Sequence, residues 1–121
     1  MAHYAFIDEN NIVVDIIVGR EEDSNGIDWE AKYAEIRGMT CKRTSYNTYA
    51  NEHRDGGTPF RGNYAEIGGL YDEVNDVFIP VKPYSNWVLN NNWIWVSPVE
   101  YPSDGNKYYW SEELSNWELV E

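Results

Sequence analysis

The sequence predicts a single β-rich α+β domain built from repeated antiparallel β-hairpins, with one short helix packed on a sheet. Its 121 residues suffice for one domain with a modest core. Aromatic residues make up 16% of the chain, with ten Tyr and six Trp but only four Leu. Rings and β-branched residues favour strands. Turn-forming clusters separate the short apolar runs, as expected for hairpins.

The first unit is a predicted hairpin over residues 1–20. An alternating run at 3–7 meets an apolar run at 12–18 across "DENN". The Asp and Asn side chains bond their own backbone and tolerate left-handed conformations, so this stretch favours a tight turn. Asp15 interrupts the second run and is expected to face water at a sheet edge, where a charge discourages unwanted pairing. The stretch "EEDSNG" at 21–26 is expected to end the unit as a loop.

A short helix is predicted over residues 28–38. Asp28 is placed to cap its N-terminus and Gly38 its C-terminus, with an acidic residue in the first turn and a basic one in the last. One apolar stripe follows from the spacing i, i+4 and i+7, and its members are Trp29, Tyr33 and Ile36. Because so short a helix is unstable alone, the stripe is expected to pack on the sheet.

Residues 41–69 are predicted to form a long ordered loop region. The opening "CKRTSY" alternates like a strand, but the following residues have no sustained periodicity, five Gly and a "DGGTP" turn signal. Long loops in compact domains are usually functional or disordered. Aromatic residues along this stretch give it anchors and favour order. This region is therefore the first candidate for a contact site.

Three aromatic hairpin units are predicted over residues 70–121. The units "GLYDEVNDVFI", "NWVLNNNWIWV" and "YYWSEELSNWELV" are separated by the connectors "PVKP" and "SPVEYPSDG". Strand alternation places four pairs on shared faces: Trp87 with Leu89, Trp93 with Trp95, Tyr108 with Trp110, and Trp117 with Leu119. Such rings either pack short strands together or form a sugar-binding surface. Coplanar exposed rings would favour the ligand, and buried rings the packing.

The net charge of −12 is unevenly distributed. Residues 1–36 have two basic and nine acidic side chains (−7), residues 37–64 five and two (+3), and residues 65–121 two and ten (−8). The summed field disfavours nucleic acid and anionic membranes as partners. The basic middle either neutralises its own acidic flanks or forms a docking patch for an acidic partner. The patch would comprise Arg37, Lys42, Arg43, Arg54 and Arg61.

No run of about twenty apolar residues is present, and the start lacks a basic region followed by an apolar one. We therefore expect neither membrane insertion nor a signal peptide. The single Cys41 cannot close an internal disulfide, which fits a reducing cytoplasm.

No catalytic residue, metal site or cofactor is predicted. The two histidines stand fifty residues apart, and a Cys41–His53 pair is available by chance in almost any domain. The acidic "DEVND" lacks the glycine and distal glutamate of a calcium loop. No phosphate-binding glycine motif occurs. Candidate binding residues come from the loop region and the aromatic hairpins: Arg43, Tyr46, Tyr49, Arg54, Phe60, Arg61, Tyr64, Trp87, Trp95 and Trp110.

Three segments carry a resemblance: "MAHYAFIDENNIVVDIIVG", "CKRTSYNTYANEHRDGGTPFRGNYA" and "YDEVNDVFIPVKPYSNWVLN". Together they resemble a family of small proteins of unassigned activity, encoded by tailed marine bacteriophages, notably cyanophages, and common in ocean metagenomes. The stretch "WVLNNNWIW" is one residue shorter than the family's usual turn, which leaves the register of that hairpin open.

The resemblance implies a non-enzymatic structural or accessory protein, associated with the virion or tail and acting through protein–protein contacts. Expected partners are other phage or virion proteins, with self-association also open. The expected location is the infected host cytoplasm and then the virion. The alternative is a glycan-binding module for host-surface recognition, which the Trp and Tyr content favours.

Overall fold

The structure, a computed structural model, describes residues 2–21 and 24–121. Within these ranges the chain forms eleven strands, one α-helix and one 3-10 turn at Ser24–Gly26. The helix α1 spans Trp29–Arg37. The strands are β1 Ala2–Ile7, β2 Val13–Gly19, β3 Thr40–Thr44, β4 Thr48–Tyr49, β5 Glu52–His53, β6 Leu70–Asp72, β7 Val77–Ile79, β8 Val88–Leu89, β9 Trp95–Val96, β10 Tyr108–Ser111 and β11 Asn116–Leu119. The predicted β-rich α+β class is confirmed.

The predicted N-terminal hairpin is formed by β1 and β2. Its turn is held as the sequence indicated, because Asp8 Oδ1 accepts the backbone N–H groups of Asn10 and Ile12 at 2.9 and 3.0 Å. Asn11 adopts the left-handed conformation, with φ 63°. The predicted loop at 21–26 includes residues 22 and 23, which lie outside the described residues.

The main sheet has the antiparallel order β2-β1-β3, so β2 is an edge strand. Asp15 lies on this edge, as expected, and its Oδ1 accepts the N–H of Ile16 at 2.9 Å. Its other carboxylate oxygen pairs with Arg37 at the end of the helix. The carboxylate therefore occupies part of the open edge and ties the helix to it.

Both faces of β1 are buried. One face contributes Ala5 and Ile7 to a cluster that includes Val13, Tyr71 and Phe78. The other face contributes three residues to a second cluster under the helix: Ala2, Tyr4 and Phe6. Alternation along the strand sends successive side chains into the two clusters, so β1 is the centre of the fold.

The helix has the predicted caps but not the predicted buried stripe. Asp28 accepts the N–H of Ala31 at 3.1 Å, and Gly38, with φ 70°, donates its N–H to the carbonyl of Ala34. Trp29 and Tyr33 pack on the core, but Ile36 is 68% exposed, so its assignment to the stripe was wrong.

The reason is that the inward face of the helix also contains charged residues. Glu30, Tyr33, Ala34 and Arg37 follow the spacing i, i+3, i+4 and i+7. The Arg37 guanidinium lies 4.2 Å from the centre of the Phe6 ring, and Glu30 accepts the backbone N–H of Arg43 at 2.8 Å. Ion pairs with the sheet therefore rotate the helix away from the stripe that apolar periodicity predicts.

The predicted loop region at 41–69 begins inside the main sheet, which corrects its N-terminal boundary. Residues 41–44 belong to β3, because the central strand β1 has an open side that this alternating segment fills. The remainder is an ordered excursion that contains the two-residue strands β4 and β5. Buried hydroxyls hold it: Thr44 accepts the N–H of Ala65 at 2.9 Å, and Thr48 that of Phe60 at 3.0 Å.

The three predicted C-terminal hairpins are confirmed as the pairs β6–β7, β8–β9 and β10–β11. In the middle hairpin Leu89 pairs with Trp95 and Val88 with Val96, which settles its register. Trp93 and Trp95 were expected to share a strand face, and this was wrong. Trp93 lies in the turn, with φ 66°, and only Trp95 belongs to a strand. Asn90 Oδ1 caps this turn by accepting the N–H groups of Asn92 and Ile94.

Rings from the last two hairpins pack edge to face. Trp110 is buried between Trp87 and Trp117, at centroid distances of 5.9 and 5.1 Å and interplanar angles of 85° and 75°. None of the tryptophans in the described ranges is fully exposed. This geometry is that of strand packing and not of a coplanar exposed platform. No helix in the described part of the chain has the length and apolar character needed to cross a membrane.

Candidate functional site

An open apolar groove lies where the loop region meets the first two aromatic hairpins. Its volume is about 900 Å³. Its lining residues are Ile16, Tyr49, Asn63, Tyr64, Ala65, Glu66, Ile67, Pro80, Val81, Pro83, Trp87, Ile94 and Trp95. Most of these side chains are aliphatic or aromatic, a composition typical of surfaces that contact ligands and partners.

The floor of the groove is fixed by Asn63, a buried residue with all three of its side-chain hydrogen bonds directed at backbone. Its Oδ1 accepts the N–H of Ala50 at 2.8 Å, and its Nδ2 donates to the carbonyls of Phe78 and Trp93 at 2.9 and 2.8 Å. Three segments distant in sequence are thereby held together. Both N–H groups of the amide and one acceptor position of its oxygen are used, so the buried amide offers little to a ligand.

Gly62 allows this close approach. Its φ is 75°, and a Cβ added there would lie 3.1 Å from Trp93 Cδ1 and 3.1 Å from Val77 Cβ. A side chain at this position would be strained and would push the turn of the middle hairpin away from the floor.

One wall of the groove is the connector at 80–83. The indole Nε1 of Trp95 donates to the carbonyl of Pro80 at 2.8 Å, and the Lys82 ammonium lies 4.9 Å from the centre of the Trp95 ring. Glu66 Oε2 accepts the N–H of Val81 at 2.9 Å. The wall is therefore fixed from both sides.

Aromatic rings form the remaining surface. Tyr49 is 65% exposed, and Tyr64 is half-buried beside His3, at a centroid distance of 5.7 Å. Among residues 2–21 and 24–121, neither tyrosine hydroxyl has a hydrogen-bond partner. Trp87 joins the groove to the C-terminal aromatic packing through Trp110. Within the same ranges the buried Nε1 of Trp87 has no acceptor.

The structure brings together four of the sequence-predicted binding residues and places the others elsewhere. Tyr49, Tyr64, Trp87 and Trp95 line the groove. Trp110 does not, because its ring is buried behind Trp87 and its Nε1 donates to Asn86 Oδ1 at 3.0 Å. The structure therefore places Trp110 in the packing between hairpins and not on the lining of the groove.

A cluster of side chains beside the helix, called the clasp below, contains three of the predicted binding residues: Arg43, Phe60 and Arg61. None of the three lines the groove. The two guanidinium groups lie 4.3 and 4.9 Å from the centre of the Phe60 ring. Arg61 Nη1 lies 2.8 Å from Glu30 Oε2, and its Nε lies 2.9 Å from Asp76 Oδ1. With Lys42 also 3.9 Å from Glu30, these basic groups neutralise acidic groups of the same chain.

The pKa values of two groups next to Arg61, the Tyr71 hydroxyl and the Asp76 carboxyl, are shifted by burial and by their neighbours. Burial and a hydrogen bond to Asp76 raise the pKa of the Tyr71 hydroxyl. Burial alone would raise the pKa of Asp76, but the hydrogen bond from Tyr71 and the charge of Arg61 outweigh it and hold that pKa below its ordinary value. The clasp is therefore an ion-pair network that supports the fold.

Tyr46 and Arg54 lie in a smaller depression, of about 330 Å³, which also includes Tyr49. The Arg54 guanidinium is 5.3 Å from the centre of the Tyr46 ring, and its Nε is 3.8 Å from Asp55 Oδ2. Both side chains are exposed. They border the groove but do not line it.

Sequence reasoning missed several groove residues, notably Asn63, Ile67, Pro80 and Pro83. The two prolines had been assigned only to the connector "PVKP". One signal could have pointed to Asn63: a glycine precedes it, and "GN" stands inside a segment of otherwise aromatic anchors. Its three distant partners leave no trace in sequence spacing.

No cluster suited to a metal ion is found within the described ranges, and Cys41 and His53 lie in different parts of the fold. There, no group of three or more His, Cys, Asp or Glu side chains could hold a metal ion. Cys41 is buried under the helix, whereas His53 lies in β5 and accepts the N–H of Asp55 at 3.1 Å. Comparison with known proteins found no matching family model, no matching curated protein and no matching solved structure.

Proposed function

We propose that this protein is a non-enzymatic binding module that acts through protein–protein contacts made by the groove. The observation behind this proposal is the open apolar surface between the loop region and the aromatic hairpins. Contiguous apolar surface on a small domain marks interaction sites, because leaving it in water is unfavourable. The held floor and wall mean that the surface is largely formed before a partner arrives.

Exposed side chains on the groove supply the contact area. Tyr49, Ile67 and Val81 are all exposed and lie on its lining. Large apolar and aromatic groups of this kind form the anchors of interfaces. A partner that covers them removes apolar surface from water without breaking any internal contact.

The composition of the groove gives little support for catalysis. Glu66 is the carboxylate of the lining, and one of its oxygens already holds the backbone of Val81. General acid–base or nucleophilic catalysis needs two or more groups positioned on one reacting centre. Binding is therefore the better-supported role.

The resemblance to a phage family supplies the setting of the proposal. In that setting the chain is a virion- or tail-associated accessory protein, made in the infected host cytoplasm and assembled with other phage proteins or with further copies of itself. The net charge of −12 favours partners with basic surfaces.

Glycan recognition is the second candidate, favoured by the rings of Tyr49 and Trp95 on one groove. A sugar also needs several hydrogen-bonding groups, and here both N–H groups of Asn63 and one carboxylate oxygen of Glu66 are already used within the chain. The groove therefore supports this role less well. A glycan array compared with a Tyr49→Ala variant tests it, since ring-dependent binding would favour a glycan.

The test of the main proposal compares two charge insertions at exposed apolar positions. Ile67 lines the groove, and Val74 lies in the β6–β7 turn outside it. In the phage that encodes the chain, Ile67→Glu should lower the amount of this protein in purified particles at least about tenfold by mass spectrometry. Val74→Glu should leave it unchanged. Absence of the wild-type protein from particles and from assembly intermediates would contradict the proposal.

A further inference from the structure

We infer that the groove takes an extended, proline-containing segment of a partner protein, flanked by basic residues. This inference rests on the proposed binding function and names its ligand class. Proline-rich segments adopt the polyproline II conformation and dock into grooves lined by aromatic rings. Here four aromatic residues provide such a lining: Tyr49, Tyr64, Trp87 and Trp95.

The wall of the groove argues against recognition by strand addition. A β-strand that joins a sheet needs a row of unpaired backbone donors and acceptors. Pro80 and Pro83 have no N–H group, and the N–H of Val81 is already donated to Glu66. A ligand that lies along this wall is therefore recognised by ring faces and a few side-chain donors, which is how polyproline II segments are bound.

The molecule already binds its own proline-bearing segments in this way. Trp95 donates its indole N–H to the Pro80 carbonyl of the connector "PVKP" at 2.8 Å. Trp117 likewise donates to the carbonyl of Val99, between Pro98 and Pro102, at 2.8 Å. Aromatic N–H groups pointed at carbonyls beside prolines thus recur in this fold.

Two donors remain for an external segment. In the described part of the chain the hydroxyls of Tyr49 and Tyr64 have no partner, and both residues lie on the lining. Each can donate to a ligand carbonyl, while its ring face contacts a prolyl ring. Because a proline-rich segment is already extended, it loses little conformational entropy on binding.

Charge selects basic flanks on the ligand. Arg37, Lys42, Arg54 and Arg61 each lie in an ion pair within the chain, and the Lys82 ammonium lies against the Trp95 ring, whereas the protein as a whole has a charge of −12. Glu66 lies on the groove, and Glu52 is paired across β4–β5 with Tyr49. Both carboxylates are exposed and can meet an arginine of the ligand.

The test uses a fluorescein-labelled peptide with three Pro-Leu-Pro repeats flanked by arginines, measured by fluorescence anisotropy. Tyr49→Ala should weaken binding at least about tenfold, and Tyr64→Phe, which removes only a hydroxyl, about three- to fivefold. Tyr109→Ala is the control, because Tyr109 is 51% exposed on β10 outside the groove. Its affinity should equal that of the wild type.

Two control peptides define the ligand class. Replacing the prolines by alanine should abolish binding, and replacing the flanking arginines by glutamate should weaken it at least about tenfold. The inference is wrong if the alanine peptide binds equally well or if Tyr49→Ala and Tyr64→Phe have no effect. If the glutamate-flanked peptide binds as tightly as the arginine-flanked peptide, the inference that the ligand has basic flanks is wrong. Circular dichroism checks that each variant is folded.

The outcome is separable from that of the proposed function. If Ile67→Glu lowers incorporation into particles but no proline peptide binds the wild type, the binding function stands and the ligand class is wrong. A photo-crosslinking amino acid at position 67 then identifies the true segment, with the same group at position 74 as control. Failure of both experiments contradicts both proposals.

Discussion

Removal of the Arg61 side chain should destabilise the protein by about 3 kcal/mol. The Arg61 side chain is 13% exposed, and its Nη1 lies 2.8 Å from Glu30 Oε2 and 2.9 Å from the carbonyl of Arg43. Hydrogen bonds of charged groups contribute about 1.5–3 kcal/mol when protected, and the guanidinium is the charged donor in both of these bonds. The contact with Asp76 adds little, because that carboxylate is largely exposed.

Arg54→Ala is the matched control. The Arg54 side chain is 61% exposed, and its ion pair with Asp55 spans 3.8 Å at the surface. Such pairs contribute about 0–1 kcal/mol, so this variant should lie within about 0.5 kcal/mol of the wild type. The two substitutions remove the same group from the same loop region, so their difference isolates the clasp.

Urea unfolding followed by tryptophan fluorescence and circular dichroism gives both free energies. Arg61→Lys keeps the charge but loses the forked geometry, so it should fall between Arg61→Ala and the wild type. In a double-mutant cycle, Glu30→Gln and Arg61→Ala should be clearly non-additive. A loss below about 1 kcal/mol for Arg61→Ala, or one equal to that of Arg54→Ala, would show that the clasp does not hold the helix to the loop.

Three further predictions concern the pH dependence of stability, the hydrogen bonds of two tryptophans and the packing of isoleucines. Because the folded-state pKa of Asp76 is lowered, its stabilisation is fully present above the unfolded-state value of about 3.9 and is lost as pH falls through the folded-state pKa; unfolding curves of the wild type and Asp76→Asn should therefore converge only once the pH is below that folded-state pKa. Trp110→Phe should cost about 1–2 kcal/mol more than Trp87→Phe in urea unfolding, because of these two indoles only that of Trp110 has an acceptor for its N–H among the described residues; equal losses would contradict this. Ile36→Ala should change the unfolding free energy by less than about 0.5 kcal/mol, whereas Ile7→Ala should cost about 2–5 kcal/mol, and thermal melts separate the two.

Local features of the fold could be predicted because their causes lie within a few residues. The Asp8 carboxylate reaches N–H groups two and four residues along the chain, and the Asp28 cap acts within one turn. The three aromatic hairpins could also be predicted from the sequence, since each turn separates two runs that pair with each other. Side-chain chemistry and backbone preference act at this range without help from distant residues.

The candidate site followed from the sequence only in its residue types. Aromatic residues of the loop region and hairpins were expected to make contacts, and Tyr49, Tyr64, Trp87 and Trp95 do meet at one groove. Trp110 has the same chemistry and alternation but is buried behind Trp87. Spacing along a strand separates its two faces, but it does not say which face another hairpin will cover.

What the local sequence specified was turns, caps and strand pairs; what the assembled fold specified was burial and the groove. Glu30 and Arg37 set the orientation of the helix by pairing with Arg61 and Asp15, which lie 31 and 22 residues away in the sequence. At the floor of the groove, Asn63 donates a hydrogen bond to the carbonyl of Trp93, 30 residues away. Such contacts depend on how whole elements pack, since the ion pairs and amide bonds form only once the backbone is in place. The groove is the space left between elements that meet in this way.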